Sequence, residues 1–579
     1  MTPIRFTMRT SRRAERQGIT LVDAITPMGH AETLPASQLL VADRDHLINL
    51  GAVGFVIGYL FDRSSSKRLR KAPQTLIAQA DARDTADWLI RECWGAYVAL
   101  LNSRGTMEIL PDPSGLLPCY VSSDEKHIVC TSDLDMMARC DRRQPQVSWE
   151  SLAVHLQRPD LRSAATCLSG IQELVPGHIH SLEGLDRADR TLWAPAHFMP
   201  PDGPFDFKDL SARLQEVSKA VIRAWSQLSS RTLVAASGGV DSSLVAAALA
   251  DTGQDFGCLT VATPDPSGDE RAHVRVLAQH LGVPLFEGIY APERIDLGIA
   301  VSAKGPRPVG KAFMQETRRM ASEAREALGA DVVFDGNGGD NLFCYLHGAA
   351  PVLDRLSCEG LGRGTLATLL DMCHVTDMTA PQMVRALWRR GKRASTFAPW
   401  PADTSLLSVD LIRAVEPKPL RNWADQVPAR HPGKAEHLRL LLATQNHLHG
   451  AGPSPAFAQF SPLLSQPLME FCLAVPTWLW CTGGINRALA RAAFAQTLPA
   501  SIVARISKAG PDSLMHSVFY RNRQLIRDML MGGLLMDHGV LDRRAIEQAL
   551  NSSADVTDAT LYRLLDLTEA EAWARSWIG

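Results

Sequence analysis

Two glycine-rich segments carry the residues whose types and spacing suggest chemistry. The first is Ser237-Gly238-Gly239-Val240-Asp241-Ser242-Ser243. Glycines lack a Cβ, so backbone N–H groups there can come close to an anion. A helix starting within the segment adds partial positive charge and unpaired donors. Ser237, Ser242 and Ser243 add hydroxyl donors. Asp241 would repel a phosphate unless a cation lay between them, which implies Mg2+. The second segment is Asp335-Gly336-Asn337-Gly338-Gly339-Asp340. It brings a second carboxylate, Asp340, so that Asp241 and Asp340 can share one magnesium-bound pyrophosphate. A bare Gly-Gly pair would read as a tight turn before a capped helix, but the whole heptad set between a strand and a helix favours an anion site. Together the two segments predict a polyphosphate site, because each falls where the other requires it.

The elements around them form an alternating series. Residues 232–236, 257–261, 285–289 and 332–335 read as short buried strands. Residues 242–249, 270–281 and 313–328 read as helices, stopped at Gly253, Gly282 and Gly329. Alternation of this kind predicts a doubly wound parallel sheet, with ligands beyond the carboxyl ends of its strands. From about Gly348 onward the pattern is mainly helical. Before the series, residues 192–204 hold four prolines and a glycine and break the pattern. That break predicts two domains, 1–205 and 206–579. The first has strand-like runs at 53–60, 96–101, 106–110 and 128–131, separated by turns such as Asp112-Pro113-Ser114-Gly115. A layered β-rich domain is expected there.

Bulk properties exclude several classes. The 579 residues are 46% hydrophobic and 21% charged, with a formal net charge of −2. No global field recruits nucleic acid. The eleven cysteines are scattered without a C-x-x-C pair or zinc spacing, which suits a reduced cytoplasm. The longest apolar stretch, residues 47–61, contains Asn49 and three glycines, and reads as one or two strands rather than a membrane span. Arg12-Arg13 is followed by Ala14-Glu15-Arg16-Gln17 rather than an apolar run, so it is no twin-arginine signal.

SGGVDSS followed by DGNGGDNLFCY resembles the ATP-pyrophosphatase domain of asparagine synthetase-like enzymes. Asp269-Glu270-Arg271-Ala272, SPLLSQPLMEFCLAVPTWLW, Gly483-Gly484, Asn486-Arg487-Ala488-Leu489-Ala490-Arg491, Leu498-Pro499 and Arg505-Ile506-Ser507-Lys508 extend the resemblance over most of 206–520. It implies ATP and Mg2+ as cofactors, adenylylation of a carboxylate, release of pyrophosphate, and attack by an amine. It also implies that Lys508 meets the α-phosphate and the transition state of amide closure. Losing such a group typically costs about 10²–10³-fold in rate. More loosely, Glu92-Cys93-Trp94-Gly95-Ala96-Tyr97-Val98-Ala99, residues 112–120 (DPSGLLPCY) and Val175-Pro176-Gly177-His178 are similar to the family's glutaminase-like domain, an Ntn-type β-rich sandwich. That activity needs an N-terminal cysteine nucleophile. Position 2 is Thr2, followed by Pro3, with no accompanying glutamine-binding loop. A degenerate, structural or docking domain is therefore expected.

Asn337 departs from the family. Asparagine synthetases carry Glu at that position and β-lactam synthetases Tyr, and Asn accepts no proton near neutral pH. Asp371, thirty-one residues beyond Asp340, lies where the β-lactam-forming relatives place an acidic partner; a surface helix residue is the alternative, and His374 is a neighbour. Asn337, Asp371 and Lys508 are the candidate catalytic residues. The combination most resembles the lasso-peptide macrolactam synthetases. It implies a precursor peptide as substrate, a leader-peptide-binding protein and a cysteine protease as pathway partners, and neither nucleic acid nor membrane. Residues 307–315 and 447–454 are expected to line a peptide cleft. Arg389-Arg390-Gly391-Lys392-Arg393 is either a contact for an acidic peptide or a solvated turn. Asparagine or β-lactam formation, a catalytically silent scaffold, and a tRNA-modifying SGGxDS enzyme are the competing readings. The last is disfavoured by the lack of a basic tail, zinc cysteines and a catalytic cysteine pair.

Overall fold

A computed structural model describes residues 4–11, 20–23, 37–41, 44–79, 81–103, 106–125, 127–141, 144–182, 190–200, 203–391, 402–414, 431–450, 457–506, 510–551 and 557–578. Thr2, Pro3, Arg12, Arg13, Lys392, Arg393 and Lys508 lie outside them.

The N-terminal region is built on two sheets. Phe6–Ser11 pairs antiparallel with His127–Thr131 and with Ser37–Val41, in a sheet completed by Tyr120–Ser123, Ile171–Glu173 and Thr20–Asp23. The second sheet runs Arg190–Thr191, His178–Ser181, Thr106–Pro111, Cys93–Ser103, Gly54–Asp62, Leu47–Asn49, and Arg68–Leu69 also pairs with Gly54–Asp62. Phe6, Met8 and Cys130 of the first sheet share a buried cluster with Val98, Leu100 and Ile109 of the second. The apolar stretch 47–61 thus becomes two strands, as its glycines suggest.

The second region carries a five-stranded, all-parallel sheet in the order Leu285–Ile289, Phe256–Ala262, Thr232–Ala235, Val332–Asp335, Ala458–Phe460. The first strand in sequence lies between the second and the fourth, which puts the topological switch point at the ends of Thr232–Ala235 and Val332–Asp335. Helices Val240–Ala250, Arg271–Leu281 and Met314–Leu328 are the crossovers, and Gly282 and Gly329 end the last two at φ 68° and 63°. The glycines take this left-handed turn without the Cβ clash other residues would suffer. Beyond Val332–Asp335, the elements of the described residues are helical apart from Ala458–Phe460. The last helix, Asp558–Ile578, buries Leu561, Leu564, Trp573 and Trp577 in a second core cluster.

The two regions are joined by packing rather than by an open linker. Trp193 is buried within the proline-rich break, and its Nε1 donates to Glu470 at 2.8 Å. Arg63, just past strand Gly54–Asp62, pairs with the same carboxylate at 2.6 Å. Tyr59, Phe61 and Trp94 meet Trp225 ring to ring at 5.2–6.2 Å, and Tyr59 and Trp225 both meet Phe460 of the parallel sheet. Among the described residues no helix is long and apolar enough to cross a membrane.

Candidate active site

The strand Thr232–Ala235 delivers the chain into the first loop, and the Ala236 N–H still bonds Leu259 O at 2.8 Å. Gly238 then turns at φ +67°, where a Cβ would lie 2.6 Å from His273 Cβ. Gly239 begins helix Val240–Ala250 with no side chain capping its first N–H groups. An uncapped N-terminus at a switch point is a ready anion site. The Ser242 hydroxyl accepts from Ser237 N at 3.1 Å and lies 3.3 Å from Ser237 Oγ, which holds the loop closed. Ser237 is partly exposed, Ser242 is buried, and Ser243 has no exposed surface at all. Ser237 is therefore the hydroxyl most open to a phosphate.

The second loop packs directly on the first. A Cβ on Gly336 would sit 2.6 Å from Ser242 N, and one on Gly339 would sit 2.4 Å from Asp241 Cβ. Gly338 supplies the intervening left-handed turn at φ +79°. Asp335, expected in the nucleotide-binding set, is engaged in holding this loop. It accepts from Asn337 N at 3.0 Å, Asn337 Nδ2 at 2.9 Å, Gln459 Nε2 at 2.6 Å and Ser461 Oγ at 2.8 Å. Burial raises its carboxyl above the usual range against the pull of those donors. Asn337 is thus fastened to Asp335 by its side-chain amide.

Asp241 and Asp340 converge on a residue that motif reading did not single out as part of the site. Arg487 Nη1 donates to Asp241 Oδ2 at 2.8 Å and to Asp340 Oδ1. Its guanidinium lies 5.1 Å above the Tyr345 ring. The Arg487 backbone is left-handed, φ 54°, a conformation that costs a non-glycine residue about 1–2 kcal/mol and persists where surroundings enforce it. The enforcing turn is Gly483-Gly484, at φ 77° and 70°. Asp371 accepts from the N–H groups of both glycines, and burial raises its carboxyl. His374 lies against Gly484, where a Cβ would meet it at 2.8 Å. The helix Arg363–Thr376 therefore sets Asp371 and His374 behind the turn that presents Arg487. Asn486 Oδ1 accepts from Arg487 Nε at 3.0 Å and from Arg491 Nη2 at 2.9 Å. Burial, then the neighbouring Arg487, pulls the Arg491 guanidinium down to about 10.

A second arginine braces the first loop. Arg505 donates to Ser237 O at 3.3 Å and to Glu270, the residue that opens helix Arg271–Leu281. Lys508, three residues on, is outside the described residues. Among those described, no group of three or more His, Cys, Asp or Glu could cage a metal. Two carboxylates within reach of one nitrogen do fit a magnesium that arrives with nucleotide phosphates, since Mg2+ commonly uses one or two carboxylates plus phosphate oxygens.

The expected peptide cleft needs correction. Arg307 does not line it; it is buried, pairs with Glu173 at 2.8 Å and donates to Ser163 O and Ala165 O. Arg162 pairs with the same glutamate, so this end of 307–315 is locked to the N-terminal region. Gln315, at the other end, ties the backbone at Asp296 and Ile299. Residues 451–456 and the side chains of Asn446, His447 and His449 lie outside what is described. In the basic run, Arg390 pairs with Glu436 at 2.7 Å and Arg389 is exposed. Arg487, Arg505 and Ser461 lie in motifs but are given no role at the site by sequence reading, and Gln459 lies in no motif; all four come from chain more than 110 residues beyond the second loop.

The asparagine synthase family model matches residues 219–450 and 459–575, a span that contains both loops and all four of those residues. No curated protein matches the chain.

Proposed function

We propose, from the premise that this chain belongs to the asparagine synthase family, that it closes a macrolactam ring in a lasso precursor peptide. Membership makes it an ATP-dependent amide ligase; the peptide substrate and the chemistry below are the finer reading. A side-chain carboxylate of an Asp or Glu in the peptide attacks the α-phosphorus of ATP and pyrophosphate leaves. The peptide's N-terminal amine then attacks the acyl carbon. AMP departs with one former carboxylate oxygen, and a proton is released. Ser237, Ser242 and the first N–H groups of helix Val240–Ala250 bind phosphate, and Gly238, Gly239 and Gly336 permit the close approach. Asp241 and Asp340 are the residues that would hold Mg2+, which when bound supplies charge neutralisation for the pyrophosphate. Lys508 balances charge at the acyl centre. Asp371 orients the turn that carries Arg487.

The observation that carries the peptide reading is the bond from Asn337 Nδ2 to Asp335. It leaves an amide, already engaged, where a proton acceptor stands in ammonia-using relatives. A peptide α-amine has an ordinary pKa of about 7.7–8.0, so roughly a tenth to a quarter of it is already neutral slightly above pH 7. Tethering it to its own acceptor replaces much of the work of a strong base. The N-terminal region serves as a structural or docking domain, with a leader-peptide-binding protein and a cysteine protease acting in the same cytoplasmic pathway. The test pits substrates against each other. With ATP and Mg2+, the precursor peptide yields a product lighter by one water, and aspartate with ammonia yields no asparagine. Asparagine without dehydrated peptide would reverse the assignment.

A further inference from the structure

Arg487 occupies the point where a shared cation would have to bind. One nitrogen of its guanidinium serves both Asp241 and Asp340. The side chain is buried, stacked on Tyr345 and tied at Nε to Asn486. Arg491, also bound to Asn486, stands beside it. Among the described residues, two carboxylates thus face two guanidinium groups, a set that is close to neutral. A divalent ion added alone would leave two unbalanced positive charges in a buried place, which is costly. Added with a polyphosphate, it would not, and a displaced guanidinium would find phosphate oxygens to bond.

We propose that Arg487 is a built-in counter-cation that competes with Mg2+ for Asp241 and Asp340, and that it yields only when metal and polyphosphate enter together. This deepens the nucleotide reading of the two loops and rests on it. The left-handed backbone at Arg487 fixes the base of the side chain, so the exchange is a swing of the guanidinium from carboxylate to phosphate. By linkage, each ligand that displaces Arg487 helps the other. Magnesium alone binds weakly, and inorganic pyrophosphate makes it bind tightly.

The test is calorimetric titration of the full chain with MgCl2, with and without inorganic pyrophosphate, for the native protein, Arg487→Met and Arg487→Lys. Arg487→Met removes the competitor. It is expected to bind Mg2+ alone about tenfold more tightly than the native protein, and to gain less from pyrophosphate. Arg487→Lys keeps the charge but loses the Nε bond to Asn486 and the planar contact with Tyr345 that hold the group in place, and is expected to fall between them. If Arg487→Met does not fold, the lysine variant decides, with about threefold tighter Mg2+ binding supporting the proposal. A variant that binds Mg2+ no more tightly than the native protein overturns it, because a merely structural arginine would weaken the metal site when lost. Failure of the native protein to bind pyrophosphate with Mg2+ would instead overturn the nucleotide reading of the loops.

Discussion

Replacing Gly336 by alanine tests whether the two loops act as one unit. The new Cβ would lie 2.6 Å from Ser242 N, 2.8 Å from Ser242 Cα and 3.0 Å from Ser242 Cβ, whereas ordinary contact begins at 3.4 Å. Two of those atoms are backbone at the start of a buried helix, so no side chain can turn away. The loops must separate by about 0.8 Å, the gap between 2.6 and 3.4 Å. Overpacking of this size costs about 1–3 kcal/mol in stability. The larger effect is on rate, since the shift falls between the phosphate-binding loop and the carboxylate loop. A misplacement of about 1 Å can cost about 10²-fold. The assay is substrate-dependent exchange of labelled pyrophosphate into ATP, paired with thermal unfolding. Gly348→Ala is the control, because nothing lies within 4 Å of its added Cβ. The expected result is a fall of about 10²-fold in kcat/KM for Gly336→Ala and no change for Gly348→Ala. If Gly336→Ala stays within about threefold of the native rate, the interlocking of the loops is not what positions the chemistry.

Glu569 accepts from Ser302 N and Oγ through one oxygen, and burial raises its carboxyl to about 7. The folded state holds a proton that the unfolded state has lost between pH about 4.5 and 7, so stability from this group is full below that window and lost as pH rises through 7. Glu569→Gln keeps the accepting oxygen, and its unfolding free energy in denaturant titrations should match that of the native protein near pH 4 and exceed it at pH 8 by about 1–3 kcal/mol. Asn337→Asp sets a second carboxylate against buried Asp335 in place of a 2.9 Å hydrogen bond; it should destabilise by about 1–3 kcal/mol, more at high pH than at low, in denaturant titrations at both. Arg505→Met and Glu270→Gln should each raise KM for ATP, and a double-mutant cycle in unfolding free energy should show coupling of about 0.5–3 kcal/mol between them. Arg307→Met leaves Glu173 with one guanidinium fewer in a buried place and should cost about 3–5 kcal/mol, measured by denaturant unfolding.

What could be read in the sequence follows from which interactions are local. Four strands of the parallel sheet and their crossover helices were legible because each is a short apolar run or an amphipathic stretch ended by a glycine, and Gly282 and Gly329 stand at those ends. The fifth strand, Ala458–Phe460, was not legible, since three residues with a central glutamine carry no periodic signal. Both glycine-rich loops were legible because backbone approach to an anion leaves its mark in consecutive residues. Their interlocking was not, for it depends on the close approach of Gly336 to Ser242. Asp335 read as a ligand because a carboxylate ending a strand is visible, whereas Gln459 and Ser461, which occupy it, lie more than 120 residues away. Arg487 sat within a quoted motif, but its role depends on a left-handed backbone and on a turn held by Asp371, neither of which a residue type announces. Arg307 looked like a cleft residue only because its partner Glu173 belongs to the other region.

The central claim is adenylylation of a peptide carboxylate followed by capture by the peptide's own amine. The most direct measurement places a heavy-oxygen label in the side-chain carboxylates of the precursor peptide and follows both products by mass spectrometry. The account predicts one labelled oxygen in AMP, unlabelled pyrophosphate, and a cyclic peptide lighter by one labelled water, in equal amounts. Label in inorganic phosphate with ADP, or AMP formed without any dehydrated peptide, would contradict it.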